Sequence, residues 1–316
     1  MLHIDATAID NTLTFPELVK DLERAFAASW VTPTRHHHIV EHQPADSTLL
    51  LMPSWTGDGE RNYIGVKIVT VHPDNGARNL PSIHGLYYLS DGNTGEPLAT
   101  MDGTRITAWR TAAASALAST YLSRPESSVL TMIGSGALSP FMIRAHMAVR
   151  PIEQVYLWNH NIRNAHTLAE KLSAEGLPVS AHPDLVTAVG KSDIVSSATL
   201  STTPLIFGKW LKPGTHVDTV GAYNPQMRET DDELVRLATT FCDTWGGALH
   251  EGGDLAIPIS EGIITKDSVK ADLHELARKE HPGRTSDSEI TYFKSVGTAV
   301  EDLAAAISVF ERSARS

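Results

Sequence analysis

The chain contains a single cysteine, Cys242, in 316 residues. It therefore forms no internal disulfide and suits a reducing, cytosolic setting. It also lacks any stretch of about eighteen apolar residues, the minimum for a membrane-spanning helix. The opening MLHIDATAID has neither the basic nor the apolar region of a signal peptide. These absences read as a soluble, cytoplasmic protein with no membrane partner. Positive charge is scarce as well: 26 Lys and Arg face 37 Asp and Glu, a net charge of −11. Phosphate-backbone binding needs a surplus of cations, so the balance argues against a nucleic-acid partner. Any anionic ligand has to be held by a few local cations and helix N-termini. There is no low-complexity tract, internal repeat or linker-like stretch. What remains is 41% hydrophobic and 20% charged, long enough for one large domain or two of ordinary size.

From about Val129 onward, short apolar strands alternate with amphipathic helices. VLTMI reads as a strand, GSGALS as a turn, and a helix follows through Val149. Strand VYLW, helix IRNAHTLAEKL, strand PVSAH, helix DLVTAV and strand DIVSSAT come next. Strand THVDTVG, helix ETDDELVRLA and strand TTFCDT close the series. Strands alternating with helices of this length predict βαβ units, a doubly wound parallel sheet of Rossmann type. The first 110 residues differ. A helix starts near Phe15 with Pro16 in its first turn, followed by the extended segments STLLLMPSW and YIGVKIVTVHP. IHGLYYLSDGNTGEPLATMDG reads as a hairpin turning at Asn93-Thr94-Gly95. An Ala-rich helix, ITAWRTAAASALASTYL, comes next, and VGTAVEDLAAAISVFERS forms a last amphipathic helix.

The sharpest local signal is Gly134-Ser135-Gly136-Ala137-Leu138-Ser139, a GxGxxS variant between a predicted strand and a predicted helix. Glycine permits the tight turn and lets the backbone approach a pyrophosphate, whose charge then sits at the helix N-terminus. Ser139 in place of the usual third Gly or Ala weakens the motif, and its strand–helix–strand context restores it. Sites selective for NAD put Asp or Glu about twenty residues further on, against the ribose hydroxyls. Here the second strand ends in Leu157-Trp158-Asn159-His160-Asn161, with Arg163 beyond. The neutral amide of Asn159 would not repel a 2′-phosphate, and Arg163 and His160 would supply charge for one. NADPH is the expected cofactor, NADH a less preferred one; the bland alternative makes Arg163 a solvated first-turn residue.

Three cations in the first half stand out: Arg35 after Thr32-Pro33-Thr34, Lys67 inside the apolar strand YIGVKIVTV, and Arg110 within the Ala-rich helix. A lysine flanked by apolar residues points into solvent, a partner or a site. His36-His37-His38 sends alternate rings to opposite faces of an extended segment, and no metal site is expected. Asp231-Asp232-Glu233 reads as the acidic first turn of a helix, and Cys242 as a small buried hydrophobe.

Taken in order, these motifs resemble the ornithine cyclodeaminase/mu-crystallin family. The resemblance rests on PTR at 33–35, GVKIVT at 65–70, LPSIHG at 80–85 and TGEPLATMDGTRITAWRTAAASALA at 94–118. It continues through GSGALS at 134–139, LWNHNIRNA at 157–165, TPLIFGKWLKPGTHVDTVGAYNPQMRETDDEL at 203–234 and YFKSVGTAVEDLAAA at 292–306. The resemblance implies a homodimer. It also implies a substrate and dimerisation domain of α+β type from 1–118 with 297–316, around a Rossmann domain at 119–296. Arg35, Lys67 and Arg110 become the carboxylate-binding and catalytic cations, and Thr111 lies near the cofactor phosphates. Ala198, Thr199, Val220 and Gly221 resemble strand ends flanking the nicotinamide and its ribose. Ser295 and Gly297 resemble the returning segment that closes the site.

One departure matters. Cyclodeaminating members carry an Asp in the loop that here reads Gly221-Ala222-Tyr223-Asn224-Pro225, where Tyr223 offers only a phenol, a very weak base. The loop GAYNPQMRE and Asn159 are both similar to the reductase branch. That branch implies NADPH-dependent reduction of a cyclic ketimine acid, Δ1-pyrroline-2-carboxylate or Δ1-piperideine-2-carboxylate, to L-proline or L-pipecolate. The rivals are an ornithine or lysine cyclodeaminase, an amino-acid dehydrogenase of the same family, and a non-catalytic binder of NADPH and a small acid.

Overall fold

The structure is a computed structural model and describes residues 1–43, 45–57, 59 and 61–314. Its elements begin with β1 (Leu2–Ile4), α1 (Ala6–Thr12), α2 (Phe15–Ala27), β2 (His36–Val40), β3 (Ser47–Trp55) and β4 (Tyr63–Val71). β5 (Ile83–Asp91), β6 (Pro97–Asp102) and α3 (Gly103–Leu122) follow. Next come β7 (Val129–Ile133), α4 (Ser139–Val149), β8 (Gln154–Trp158), α5 (Ile162–Ala174), β9 (Val179–Ala181) and α6 (Leu185–Lys191). β10 (Ile194–Ser197), β11 (His216–Thr219), α7 (Asp232–Leu237), β12 (Thr239–Cys242), α8 (Trp245–Ala248) and α9 (Gly253–Ser260) continue the chain. It ends with β13 (Val269–Asp272), α10 (Leu273–Ala277), β14 (Thr291–Lys294) and α11 (Ala299–Ser313).

These elements pack as two units, Met1–Arg110 with Thr298–Ser316, and Thr111–Gly297. The sequence reading divides the chain at 118/119 and 296/297. The first division lies earlier than that, inside α3, whose Ala-rich run continues unbroken across it and carries no local mark of a boundary.

The first unit is built on a six-stranded sheet in the order β1-β6-β5-β4-β3-β2, with β1 parallel to β6 and the other neighbours antiparallel. Alternation along the strands decides its faces. Tyr63, Gly65, Lys67 and Val69 of β4 turn to one side, with Tyr87 and Leu89 of β5 beside them, and all are buried. α11 lies over this face across β3, β4 and β5, and α2 packs on α11. α2 has Thr14 as N-cap and Pro16 in its first turn. It buries Phe15, Leu18, Val19, Leu22, Ala25 and Phe26 on one stripe, the 3.6-residue period of an amphipathic helix. The opposite face of the sheet carries Trp55, Ile64 and Leu86, which remain 37, 38 and 41% exposed within the chain.

The second unit is a parallel sheet of eight strands in the order β13-β12-β14-β11-β10-β7-β8-β9. β10, β11 and β14 are buried along their whole length, as strands covered on both faces must be. β7, β8 and β9 step in one direction from the centre, and β10, β11 and β14 step in the other. This is the order of a Rossmann fold, and it puts the reversal between β7 and β10, where such sheets hold ligands outside the strand carboxyl ends. β14, absent from the sequence reading, sits between β11 and β12. The core includes Ile133, Val195, Val217, Leu234, Cys242 and Tyr292. Among the described residues no helix is long and apolar enough to cross a membrane.

Gly65 shows how tightly the first unit is closed. A Cβ at this position would stand 2.0 Å from the Tyr87 hydroxyl and 3.0 Å from a Leu303 methyl of α11. Gly65→Ala should therefore destabilise the protein by about 1–3 kcal/mol through overpacking. Denaturant titration checks this; an unchanged midpoint would show that the sheet and α11 yield freely at this point.

Candidate active site

Lys67 sits in the middle of β4 with its side chain turned under α11 and 2% of its surface exposed. Its Nζ lies 2.8 Å from both carboxylate oxygens of Asp302 and 3.3 Å from Thr107 Oγ1. Arg110, from α3, donates through Nε to Asp302 Oδ1 at 3.0 Å and through Nη1 to Glu301 Oε2 at 2.6 Å. Both carboxylates are fully buried in the first turn of α11, where the helix dipole favours negative charge. Arg35 is half-buried, and its charge bears on both Lys67 and Asp302. The structure thus gathers the three predicted cations into one cluster and adds two acids that the sequence reading missed. Three cations stand against two carboxylates.

Burial is the largest influence on Lys67 and lowers its pKa; Asp302 opposes it, and Arg110 and Arg35 reinforce it. The result falls from the usual 10.5 to about 8. For Asp302, burial works upward but is outweighed by Lys67 and Arg110, so its carboxyl titrates below the ordinary range. Tyr87, opposite Lys67 on β5, is driven well above the usual phenol value by burial and then by Asp302.

In the second unit, the glycine turn follows β7 as expected. Gly134 has φ +103, and a Cβ there would meet the Ala198 carbonyl oxygen at 2.8 Å, so only glycine lets the turns after β7 and β10 approach so closely. Ser139 Oγ donates to the Gly134 carbonyl at 2.9 Å and locks the turn. Leu138 occupies the N-cap of α4, no side chain caps that helix, and a Cβ on Gly136 would meet nothing within 4 Å. An uncapped helix start beside open space over a glycine fits a dinucleotide pyrophosphate. Asn159 Nδ2 donates to Ser135 Oγ at 2.9 Å, and its Oδ1 accepts from the Asn161 amide at 2.9 Å. His160 and Arg163 are exposed, Arg163 in the first turn of α5. Thr111 is buried in the amino-terminal part of this unit.

The loops after the other strands are organised by buried acids. Thr199 donates to Glu229 through its backbone N–H and its hydroxyl, and Gly221 does so through its N–H. Val220 N bonds the Ser197 carbonyl at 3.0 Å, which aligns the loop beside Ala198. Asp243 Oδ2 accepts from Ser295 Oγ at 2.9 Å, Val296 N at 2.8 Å and Gly297 N at 2.7 Å. Thr199, Gly221, Ser295 and Gly297 are among the residues the sequence reading singled out; Glu229 and Asp243, which hold them, are not. On β2, His36 and His38 share a face with ring centroids 6.3 Å apart. No group of three or more His, Cys, Asp or Glu among the described residues is placed to hold a metal.

A family model for ornithine cyclodeaminase/mu-crystallin proteins matches residues 3–316. The chain belongs to this family. A Δ1-pyrroline-2-carboxylate reductase from Colwellia psychrerythraea is 36% identical, covering 99% of each chain. The solved Thermococcus litoralis Δ1-pyrroline-2-carboxylate reductase, in complex with NADH and L-proline, is 35% identical with a TM-score of 0.92. That likeness covers 100% of this chain and 98% of the other. An archaeal alanine dehydrogenase dimer with bound NAD is 30% identical with a TM-score of 0.90, covering 100% and 96%.

The cluster predicts a pH signature in stability. Lys67 binds its proton less tightly in the folded state, so the unfolded chain holds more protons between about pH 8 and 10.5. Its contribution to stability therefore rises with pH across that window and disappears as pH falls through 8. Denaturant titrations at successive pH values should show this rise in the wild type and not in Lys67→Met. Equal slopes in the two proteins would contradict the assignment.

Proposed function

We propose that this chain is an oxidoreductase that reduces the C=N bond of a cyclic ketimine acid, Δ1-pyrroline-2-carboxylate, to L-proline with a nicotinamide cofactor. The observation that carries the reading is the buried Lys67, held between Asp302 and Arg110 with a pKa of about 8. It belongs to a family whose solved Thermococcus member, alike over the whole chain, holds NADH and L-proline. The six-membered ketimine, Δ1-piperideine-2-carboxylate, offers the same carboxylate and C=N bond and is the second substrate of this reading, giving L-pipecolate.

The chemistry divides simply. The bound cofactor supplies a hydride to the imine carbon. That carbon accepts it only when the ring nitrogen is protonated, and the product gains one hydride and one proton in all. The ammonium of Lys67 holds that proton at a pKa near neutrality, where donation is efficient. Asp302 restrains the ammonium, and Arg35 and Arg110 bind the substrate carboxylate, Arg offering a donor fork matched to two oxygens. Gly134, Gly136, Leu138 and Ser139 hold the cofactor pyrophosphate, and Asn159, His160 and Arg163 receive an adenosine 2′-phosphate. NADPH is preferred over NADH on this assignment. Two copies assemble through the sheet face bearing Trp55, Ile64 and Leu86, a reading supported by its exposed apolar side chains and the dimeric alanine dehydrogenase. The buried thiol of Cys242 suits the cytoplasm.

Purified protein should consume NADPH with Δ1-pyrroline-2-carboxylate and release no ammonia from L-ornithine or L-lysine with NAD, since Tyr223 cannot act as the carboxylate base. Ammonia release would instead support the cyclodeaminase reading. Asn159→Asp should weaken NADPH selectively, and equal kcat/KM for both cofactors in the wild type would refute the 2′-phosphate assignment.

Lys67→Ala should lower kcat by a factor of about one hundred to ten thousand while leaving cofactor binding intact. Wild-type kcat should fall as pH rises through about 8, where the ammonium is lost. A mutant with half the normal rate would reduce Lys67 to a structural cation.

A further inference from the structure

Glu229 lies between the loop after β11 and the start of α7, and its side chain is fully buried. It does not belong to the helix-capping acids beside it, of which Asp231 caps α7 by accepting from Leu234 N. Instead, Oε1 accepts from Ser197 Oγ at 2.5 Å, Thr199 N at 2.8 Å and Thr199 Oγ1 at 2.7 Å. Oε2 accepts from Gly221 N at 2.8 Å and Ala222 N at 3.2 Å. A single carboxylate thus ties the end of β10 to the end of β11. The approach is close: a Cβ at Gly221 would stand 2.1 Å from the Thr199 carbonyl oxygen and 2.7 Å from Glu229 Oε1.

The charge around this clamp does not cancel. Lys294 and Asp254 pair at 2.9 Å, both fully buried. Asp254 Oδ1 also accepts from the Glu229 and Thr230 amides and from Thr230 Oγ1. The hydrogen-bond partners of Glu229 are all neutral, and three of the five are backbone N–H groups, which can only donate. The ionised form accepts from all five, whereas a protonated carboxyl would have to turn one of the two hydroxyls, Ser197 Oγ or Thr199 Oγ1, from donor to acceptor. Burial pushes the Glu229 pKa upward, Lys294 opposes that, and Asp254 adds to it. The hydrogen bonds from Ser197 and Thr199 work against that burial and favour the ionised form.

We propose that Glu229 is a positioning residue for the nicotinamide end of the cofactor. Its carboxylate fixes Thr199 and Gly221–Ala222 and leaves one uncompensated negative charge at the carboxyl ends of β10 and β11, which favours the oxidised over the reduced nicotinamide. This rests on the proposed nicotinamide reading. The physical basis is simple: the ring is neutral when reduced and carries a positive charge once it has given up its hydride. A fixed negative charge nearby, in a low-dielectric setting, stabilises the second state and not the first.

The test is the ratio of dissociation constants for the oxidised and reduced cofactor, measured by calorimetric titration of each form against the whole chain. Glu229→Gln keeps the shape and removes the charge, and should raise Kd(oxidised)/Kd(reduced) about three- to tenfold. Glu229→Asp keeps the charge and shortens the reach; both constants should weaken together with the ratio unchanged. A Gln variant that weakens both forms equally would overturn the charge role. If Glu229→Gln does not fold, the wild-type protein still decides. A 13C carboxylate signal assigned to Glu229 must be that of an ionised group near pH 7, and a protonated one overturns the proposal. Wild type that binds neither form would overturn the nicotinamide reading itself, which is a different outcome from an unchanged ratio.

Discussion

The first unit depends on the contact of Lys67 with Asp302. These residues are far apart in the chain, one in the central strand of the sheet and the other in the last helix. Their pairing requires α11 to lie across β3, β4 and β5 with its first turn over Lys67. Isolated charges could not be buried here, since desolvating each ion costs several kcal/mol. The cluster is tolerable because each member is met: Asp302 by the ammonium and by Arg110, Arg110 by two carboxylates. Such clusters add little net stability compared with an apolar filling, while losing one partner is strongly destabilising. A network of this kind at the centre of the unit is therefore not explained by folding free energy, which is in keeping with the chemical role proposed for it. It also makes the last fifteen or so residues integral, because without α11 the buried face of the sheet would hold an unpaired lysine.

The second unit solves a different problem at its strand ends. Parallel strands leave backbone groups unpaired where they run into loops, and this chain treats those ends in two ways. After β7 the helix start is left uncapped and glycine keeps the approach open. After β10, β11 and β14, buried carboxylates take up the N–H groups, Glu229 for Thr199, Gly221 and Ala222, and Asp243 for Val296 and Gly297. Donors left open invite an anion, whereas donors saturated by a carboxylate give a rigid wall that no longer attracts one. On the proposed reading the distinction matches a dinucleotide, with phosphates at one end and an uncharged or cationic ring at the other.

Much of this was legible in the sequence, for reasons that particular residues make plain. β7 and β8 were found as apolar runs between turns, and β10, β11 and β12 from their place in the alternation of strands with helices. β14, TYFK, was missed because it ends in a charge, and its place between β11 and β12 follows from sheet order, which no local pattern carries. Lys67 stood out because a lysine among Ile, Val and Tyr on a strand has to find solvent, a partner or a site. Asp302 obeys the same logic and escaped it, since acids in the first turn of AVEDLAAA already have an explanation in the helix dipole. Glu229 was hidden likewise in ETDDEL, where four acids look alike and only Glu229 is fully buried. An available local explanation is what conceals a buried charge.

On the proposed reading, the same cluster is how a chain of net charge −11 carries a site for an anionic substrate. Surface charges are screened over about 8 Å at physiological ionic strength, so the acidic exterior contributes little to a buried group. Inside the first unit the balance is reversed, with Arg35, Lys67 and Arg110 against Glu301 and Asp302. That excess has to be limited. Without the carboxylates, burial, Arg110 and Arg35 would all work to drive the proton off Lys67. Further carboxylates would raise the lysine pKa again and would repel an incoming substrate carboxylate. Asp302 opposes burial and the two arginines just enough to leave Lys67 near 8. At that value the ammonium is present at neutral pH and still able to part with its proton.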